Sequence, residues 1–253
     1  MNVYGTEQIR NVVLLGHGGA GKTTVAEALA LLTGVTKRMG KVPDGNTISD
    51  YDKEEQKRQF SISTSVVPVE FEDIKINFLD TPGYFDFVGE VEEACHAAGA
   101  AVIVINGKSG VEVGTLKAWE LCEKYKLPRL FFVTGMDDDQ ASYRKIVLEL
   151  NDRFGRKVAP FHVPIRENEK FVGFVNVVKM KGRRFINDTS EYEECDIPDY
   201  MDKHLNISRD ALVEAVADTS EELMERYFAG EEFTYEEVST ALRTHVMDCQ
   251  IVP

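Results

Sequence analysis

The feature that most constrains this chain is a glycine-rich run near its N-terminus, Gly16-His17-Gly18-Gly19-Ala20-Gly21-Lys22-Thr23. It follows a short apolar segment rich in β-branched residues, 9–15, and precedes apolar positions at helical spacing within residues 21–32. The run fits the pattern G-x-x-x-x-G-K-[ST] in its expected place between a strand and a helix. This context makes a chance glycine turn the weaker interpretation, and it predicts a phosphate-binding loop.

The predicted loop assigns a role to each of its residue types. The glycines let backbone N–H groups close around phosphate oxygens, and the helix N-terminus favours their negative charge. Lys22 is expected to reach the β- and γ-phosphates, Thr23 to bind Mg²⁺, and Thr24 to donate to the α-phosphate. The other predicted nucleotide-binding residues of the loop are Gly16, His17, Gly18, Gly19, Ala20 and Gly21.

A second element, Asp80-Thr81-Pro82-Gly83, directly follows the predicted strand 75–79. Asp80 is expected to hold Mg²⁺ through water, as the strand-end aspartate of nucleotide hydrolases does. Gly83 can present its N–H to a γ-phosphate without a Cβ in the way. The four residues alone would suit an ordinary turn, but after a phosphate loop they predict the rest of a nucleotide site.

A third element, Val133-Thr134-Gly135-Met136-Asp137, ends another apolar strand. A carboxylate at Asp137 can accept hydrogen bonds from N1–H and N2–H₂ of guanine, a donor pair that adenine lacks. Thr134, Gly135 and Asp137 are therefore predicted to contact the base. Solvated loop acids are the alternative, since Asp138 and Asp139 follow at once.

The order of elements predicts an α/β fold with a mostly parallel sheet flanked by helices, followed by an α+β subdomain. Residues 1–157 are predicted to form the core and residues 158–253 the inserted subdomain. Residues 34–60 lack periodicity and are predicted to be a long functional or mobile loop. The predicted strands are 9–15, 61–72, 75–79, 101–105, 130–133, 161–165, 171–180 and 183–186, and the helices 21–32, 111–125, 141–154, 208–217, 221–228 and 235–245. Capping-box spacing occurs at Thr219/Glu222 and Thr234/Glu237, and Gly230 suits a helix C-terminus.

Composition excludes several classes of protein. With 43% hydrophobic and 28% charged residues, the chain is globular, and its apolar runs are too short to span a bilayer. The four cysteines form no C-x-x-C pair, which predicts reduced thiols in a cytoplasmic protein. The net charge of −14 argues against nucleic-acid binding through the overall field. Residues 161–253 hold 10 basic and 20 acidic residues, so the predicted subdomain is strongly acidic.

The three elements, in this order, resemble translational GTPases, most closely the elongation factor G family. The resemblance runs through the whole chain and implies a P-loop GTPase fold with that family's inserted subdomain. Residues 58–62, Arg-Gln-Phe-Ser-Ile, align with the family's Arg-Gly-Ile-Thr-Ile of switch I, so Ser61 takes the place of the threonine that closes on Mg²⁺ and γ-phosphate. The further matching segments are Gly110-Val111-Glu112, Lys126-Leu127-Pro128-Arg129, Val163-Pro164-Ile165, Phe171-Val172-Gly173-Phe174, Lys179-Met180 and Phe228-Ala229-Gly230-Glu231-Glu232.

The chain also departs from the family pattern. Gly19 stands where the phosphate loop usually has Asp, and Tyr84 where the family has the His that orients the attacking water. Thr134 and Gly135 replace the Asn and Lys of Asn-Lys-x-Asp. With a tyrosine at this position, the chain most closely resembles the elongation-factor-G-like paralogues of the family. Tyr84 has an alternative role as a packing aromatic beside its phenylalanine neighbours, and the chain is expected to end before the family's last nucleotide motif.

The resemblance implies a GTPase that binds GTP or GDP with Mg²⁺, is slow alone and is stimulated by the ribosome. Its expected partners are large-subunit RNA near the switch regions, the stalk protein at the acidic subdomain, and the remaining domains of a longer factor, with no membrane contact. The expected catalytic residues are Lys22, Ser61, Gly83 and Tyr84, and the expected metal ligands Thr23, Ser61 and Asp80. Arg58 is a further candidate for charge stabilisation. The alternatives are a ribosome-binding module with weak hydrolysis, or a P-loop ATPase or kinase, which Asp137 disfavours.

Overall fold

The computed structural model describes residues 3–168, 170–186 and 191–253. The chain forms two compact units. The first comprises Met1–Asn106 and Val111–Thr134, and the second comprises Gly107–Gly110 and Gly135–Pro253. The predicted domain boundary between residues 157 and 158 remains a prediction about which segments fold together.

The first unit is a five-stranded sheet with helices, in the strand order β2-β3-β1-β4-β5. Strands β1, β3, β4 and β5 run parallel, and β2 pairs with β3 in the antiparallel direction. This arrangement confirms the predicted α/β fold with a mostly parallel sheet. The strands are β1 Ile9–Leu15, β2 Ser65–Phe71, β3 Ile74–Asp80, β4 Ala100–Asn106 and β5 Arg129–Thr134, and the helices are α1 Lys22–Leu32, α2 Lys53–Arg58, α3 Val88–Ala97 and α4 Val113–Tyr125.

The central strands are apolar because helices cover both sheet faces. Val13, Leu14 and Leu15 of β1 are buried, as are Ile103 and Val104 of β4. Runs of this kind mark parallel strands that are buried on both faces. The parallel register brings the carboxyl ends of β1, β3, β4 and β5 to one edge of the sheet, which is where ligands bind in such folds.

Two helices of the first unit escaped the sequence prediction. Helix α2 lies inside the segment 34–60 that was expected to be irregular, and Asp52 caps it with Glu55 in a capping box. It is too short and too charged to show apolar periodicity, so only the capping pair could have signalled it. Helix α3 contains Gly89 and alternates apolar with acidic residues, which weakens the helical pattern. Strand β2 begins at Ser65, four residues later than predicted.

The second unit packs helices on an antiparallel sheet of order β6-β7-β8-β9. Its core includes Ile165, Val175, Leu212, Val238 and Ile251, all almost fully buried. The strands are β6 His162–Glu167, β7 Lys170–Asn176, β8 Lys181–Phe185 and β9 Tyr192–Cys195, and the helices are α5 Tyr143–Phe154, α6 Asp202–Ala217, α7 Glu221–Phe228 and α8 Tyr235–Met247.

The helix ends of the second unit test the capping predictions. Thr234 and Glu237 form the predicted capping box of α8, and Gly230 follows α7 with a φ of +76°. The predicted box at Thr219 is wrong, because Ser220 caps α7 by accepting from the N–H of Leu223. Strand β9 was not predicted, and α6 starts six residues earlier than expected.

Candidate nucleotide site

The phosphate loop joins the end of β1 to the start of α1, as predicted. Gly21 directly precedes the helix with a φ of +96°, a conformation that side chains rarely adopt. A Cβ built on it would also lie 3.2 Å from the side chain of Thr134, so space as well as backbone geometry requires glycine. The loop therefore presents backbone groups at the helix N-terminus, which suits an anion.

Lys22 is held inside the loop with its ammonium directed at the backbone. Its Nζ donates to the carbonyl oxygens of Gly16 and His17, both at 3.0 Å. Burial lowers the pKa of Lys22 from 10.5 to about 8, and the negative charge of Asp80 only partly opposes this. A buried ammonium whose hydrogen-bond partners are neutral carbonyls fits a site for the phosphates of a nucleotide.

Behind Lys22, two hydroxyls and two carboxylates form a polar cluster. Thr23 Oγ1 donates to Asp80 Oδ2 at 2.8 Å and lies 3.4 Å from Ser61 Oγ, which donates to Asp50 Oδ1 at 2.7 Å. The other carboxylate oxygens, Asp80 Oδ1 and Asp50 Oδ2, are buried and have no hydrogen-bond partner in the described part of the chain. The three predicted metal ligands Thr23, Ser61 and Asp80 thus lie together, and Asp50 joins them without having been predicted.

The pKa values of this cluster reflect two buried negative charges. Burial raises the pKa of Asp80 to about 6, although the hydrogen bond from Thr23 and the charge of Lys22 lower it. Burial also raises the pKa of Asp50, and its hydrogen bond from Ser61 acts in the opposite direction. Carboxylates and hydroxyls are ligands that Mg²⁺ accepts, so the residues present fit this ion.

The segment after β3 touches the phosphate loop. Thr81 Oγ1 donates to the carbonyl of Leu14 at 2.6 Å. A Cβ on Gly83 would lie 2.6 Å from Gly18 Cα and 2.7 Å from Lys22 Nζ, so only glycine permits this approach. The structure therefore brings together the first two sequence elements, and it gives the glycine a steric reason.

Tyr84 is half exposed and lies over the loop. Its ring packs edge-on against Phe60 with centroids 4.7 Å apart, and a Cβ on Gly18 would be 3.5 Å from Tyr84 Cζ. Both interpretations of this residue stay open in the structure, because an aromatic packed at the loop also presents its hydroxyl there. The contact between Tyr84 and Phe60 thus joins the segment after β3 to the residue that precedes Ser61.

A cleft of about 240 Å³ opens between these segments. Most of the predicted phosphate- and metal-binding side chains of the first unit surround it, while Asp80 lies behind Thr23. Four residues of its lining, Val42, Asp50, Gln59 and Phe60, were not predicted. The predicted residues that line it are Gly18, Gly19, Gly21, Lys22, Thr23, Thr24, Ser61, Thr81, Gly83 and Tyr84.

Two buried glutamates that sequence reasoning missed organise the segment before β2. Glu27 of α1 accepts from the N–H groups of Gly40 at 2.8 Å and Ile48 at 2.5 Å. Glu55 of α2 accepts from Ile62 at 2.9 Å and Ser63 at 3.0 Å. Backbone donors satisfy both carboxylates, which explains how they are buried without a cation. Glu27 lies inside a predicted helix and Glu55 inside a segment without periodicity, so the sequence carried no signal for either role.

His17 ties the loop to helix α4. Its Nδ1 accepts from the N–H of Gly114 at 3.3 Å, and its Nε2 lies 3.6 Å from a carboxylate oxygen of Glu112. A Cβ on Gly114 would lie 2.5 Å from His17 Cα. These contacts give His17 a structural role within the predicted loop, and its nucleotide binding stays a prediction.

Thr134 closes the first unit at the end of β5. Its Oγ1 donates to the carbonyl of Ala20 at 2.6 Å and lies 3.3 Å from the carbonyl of Ile105. The threonine therefore fastens the phosphate loop to the edge of the sheet. Sequence reasoning placed Thr134 at the base, and the structure adds this contact with the loop.

Gly135 and Asp137 belong to the second unit. Gly135 has a φ of +63°, and its carbonyl accepts from the N–H of Asp138 at 3.2 Å, which makes a tight turn. The Asp137 side chain is exposed, and no described residue forms a hydrogen bond or ion pair with its carboxylate. A free carboxylate on an ordered turn fits the predicted recognition of guanine.

The strand, glycine loop and helix, together with the strand-end aspartate and the close-approach glycine, define the class of P-loop nucleotide hydrolases. Residues 7–247 match the family model described as "Elongation factor Tu GTP binding domain". The chain therefore belongs to this family and is a G domain of the translational GTPases.

A solved structure supports the same assignment. A protein from Thermus thermophilus is 36% identical to this chain and superposes with a TM-score of 0.88. The match covers 97% of this chain and 37% of that one, so this chain spans just over a third of its relative's length. Within the described residues, no helix combines the length and apolar character needed to cross a bilayer.

Proposed function

We propose that this chain binds GTP with Mg²⁺ and hydrolyses it as the G domain of an elongation factor G-like translation factor. The observation that carries the proposal is that Lys22, Thr23, Ser61 and Gly83 line one cleft, with Asp80 directly behind Thr23. Catalysis in such sites is mostly positioning and charge stabilisation. Family membership and the resemblance of the inserted segment support the finer assignment.

Each residue has a task in this proposal. Lys22 and the loop amides hold the phosphates, and Thr23, Ser61 and Asp80 hold Mg²⁺, with Asp50 orienting Ser61. Mg²⁺ supplies charge neutralisation at the phosphate oxygens. Gly83 offers its N–H, and Tyr84 orients water through its hydroxyl. In the family, ribosomal RNA near the catalytic water activates hydrolysis, so hydrolysis by this chain without a ribosome is slow.

Calorimetric titration with GDP, GTP and ATP in Mg²⁺ tests nucleotide binding. Asp137 would favour both guanine nucleotides, whereas equal competition by ATP would support a P-loop ATPase or kinase instead. Turnover is measured in parallel without ribosomes. A multiple-turnover rate of about one per second there, in the range of an unassisted enzyme, would contradict slow intrinsic hydrolysis.

A second candidate is a ribosome-binding module that hydrolyses GTP weakly and serves in protection, recycling or regulation. The packing of Tyr84 against Phe60 favours it, because a packed ring is less free to orient water. Ribosome-stimulated GTPase activity of the full-length factor, wild type against Tyr84→His, separates the two. An efficient wild type that loses activity on substitution supports the first proposal, whereas a weak wild type that gains activity supports the second.

We further propose that helices α6 and α7 of the second unit, with the link between them, dock a stalk protein of the ribosome. Their exposed side chains are mostly acidic, so association would be steered by charge. Charge reversal of Glu221 and Glu222 to lysine should slow association, and added salt should do the same in the wild type. Binding that ignores both changes would contradict the proposal. The exposed acidic residues are Asp210, Asp218, Glu221, Glu222 and Glu225.

A further inference from the structure

The turn that carries Asp137 is held by an arginine from a distant part of the sequence. Arg166 Nη2 donates to the carbonyl oxygens of Met136 at 2.5 Å and Asp138 at 2.7 Å. One guanidinium nitrogen thus bridges the two carbonyls that flank Asp137. The backbone on both sides of the free carboxylate is therefore fixed by the same side chain.

Arg166 is itself firmly placed. It lies in β6 next to the fully buried Ile165, where the pairing with β7 shifts register. Such irregularities re-aim a side chain. The carbonyl of Arg166 accepts from the hydroxyl of Tyr200 at 3.1 Å. The arginine therefore acts from a strand that the core of the second unit holds in place.

The neighbouring acid of the turn is already engaged. Asp138 Oδ1 accepts from the N–H of Gln140 at 2.8 Å, and Asp138 Oδ2 lies 3.9 Å from Lys108 Nζ. The Asp137 carboxylate has no such contact with any described residue. Within the turn, Asp138 is therefore engaged by neighbouring residues, whereas the Asp137 carboxylate is exposed to solvent.

We propose that Arg166 is a positioning residue for guanine recognition, because it holds Asp137 where its carboxylate can accept from N1–H and N2–H₂ of the base. The inference rests on the proposed function, since Asp137 must read guanine for Arg166 to matter in this way. An Asp137 on an unbraced turn would have to order its backbone on binding, and that cost weakens the paired hydrogen bonds.

The test compares GDP with IDP, whose base keeps N1–H and lacks the N2 amino group. Calorimetry with Mg²⁺ on the full chain gives both dissociation constants, and circular dichroism gives the melting temperature. Losing a hydrogen bond to a charged acceptor should make IDP bind wild type about 10-fold more weakly. Arg166→Met should reduce this preference to about 2-fold, mainly by weakening GDP. Arg184→Met, which removes an arginine paired with Glu167 in the same sheet, should leave the preference unchanged.

A purely structural role gives a different pattern. If Arg166 only stabilised the fold, Arg166→Met would weaken GDP and IDP equally, and an unchanged GDP/IDP ratio would overturn the inference. Should Arg166→Met fail to fold, Arg166→Gln takes its place. The glutamine amide is neutral and its side chain is shorter than that of arginine, so it holds the two carbonyls more weakly and an intermediate ratio is expected. A wild-type ratio in Arg166→Gln would again overturn it.

Asp137→Ala separates this inference from the proposed function. It should also lower the GDP/IDP ratio, and adding Arg166→Met to it should lower the ratio no further. If the wild-type chain binds GDP and IDP equally, or if Asp137→Ala still prefers GDP, then Asp137 does not recognise guanine. Either result would overturn both that part of the proposed function and the inference. A preference that Asp137→Ala abolishes and Arg166→Met leaves intact would sink the inference alone.

Discussion

The phosphate loop of the first unit and the turn of the second unit that carries Asp137 are held in place in different ways. At the phosphate end, Lys22 and Asp80 are buried charges with shifted pKa values, and they come from short motifs that directly follow strands. At the turn, Asp137 is exposed, and its support comes from Arg166, nearly thirty residues away along the chain. Lys22 and Asp80 are thus charged groups that burial destabilises, whereas Asp137 is an exposed charge whose backbone is fixed by hydrogen bonds from Arg166.

Under the proposed function, this difference predicts where nucleotide affinity and base selectivity reside. Charged groups that lose water in the folded protein gain most when a phosphate or metal compensates them. An exposed carboxylate gains less per contact, but it discriminates between bases when its position is fixed. Substitutions at the phosphate end should therefore change the affinity for every nucleotide, whereas substitutions at the turn should change mainly the ratio between bases.

The largest effect is expected from Lys22→Met. This change removes the ammonium and keeps an apolar stem of similar length, so GDP affinity should fall on the order of 1,000-fold, or about 4 kcal/mol. Calorimetry with GDP and IDP should show equal losses. Lys37→Met, at an exposed lysine of the first unit, is the matched control and should bind as wild type. A loss below about 10-fold in Lys22→Met would place the phosphate grip elsewhere.

Asp80→Asn should stabilise the protein when no nucleotide or metal is present. The pKa of Asp80 is raised to about 6 in the folded state, so the folded protein binds more protons than the unfolded one between pH 4 and 6. Its free energy of unfolding therefore decreases as pH rises through that window, by at most about 3 kcal/mol for this group. Asparagine has no charge to bury, so the variant should not incur this loss.

Urea unfolding with EDTA at pH 4.5 and 7.5 measures the effect. The advantage of Asp80→Asn over wild type should be small at pH 4.5 and largest at pH 7.5, and added Mg²⁺ with GDP should reverse it. Asp137→Asn makes the same chemical change at an exposed position and should leave stability nearly constant. An Asp80→Asn protein that is less stable than wild type at pH 7.5 without metal would contradict the burial argument.

The positions of the predicted phosphate-binding residues in the fold could be located from the sequence, whereas the residues that support them could not. Gly16–Thr23, Asp80 and Gly83 follow strands directly, so local pattern alone located them. Glu27, Glu55 and Arg166 escaped notice because each acts on backbone N–H or carbonyl groups that only the tertiary fold brings near. Helix α2 and strand β9 were missed because neither carries an apolar stripe, and helix α3 because acidic residues and Gly89 interrupt its short apolar face. Ser61 was predicted as a metal ligand only through the resemblance, since no pattern in its own segment indicates metal binding.

Glu55→Gln tests whether the segment that carries Ser61 is held in place without a nucleotide. The amide can accept through one oxygen only, so part of the bonding to Asp52, Ile62 and Ser63 is lost. Stability should fall by about 2 kcal/mol, the usual worth of a hydrogen bond to a charged group. Amide hydrogen exchange at Ile62 and Ser63 should accelerate. Glu54→Gln, its exposed neighbour in α2, should change stability by less than about 0.5 kcal/mol, and equal effects of the two variants would refute the bracing.

Thr134→Val is expected to have the smallest effect, and it marks the limit of the phosphate end. Valine keeps the shape and removes the hydroxyl that donates to Ala20, which should cost about 1 kcal/mol and about 5-fold in GDP affinity. Thr134→Ser retains the hydroxyl and should bind nearly as wild type. Because Thr134 acts on the phosphate loop, GDP and IDP should weaken together in calorimetry. Thr134→Val could instead lower the GDP/IDP ratio, as Arg166→Met is expected to do. Thr134 would then act with the turn of Asp137 in base selectivity, and the residues that set selectivity would begin at Thr134 rather than after it.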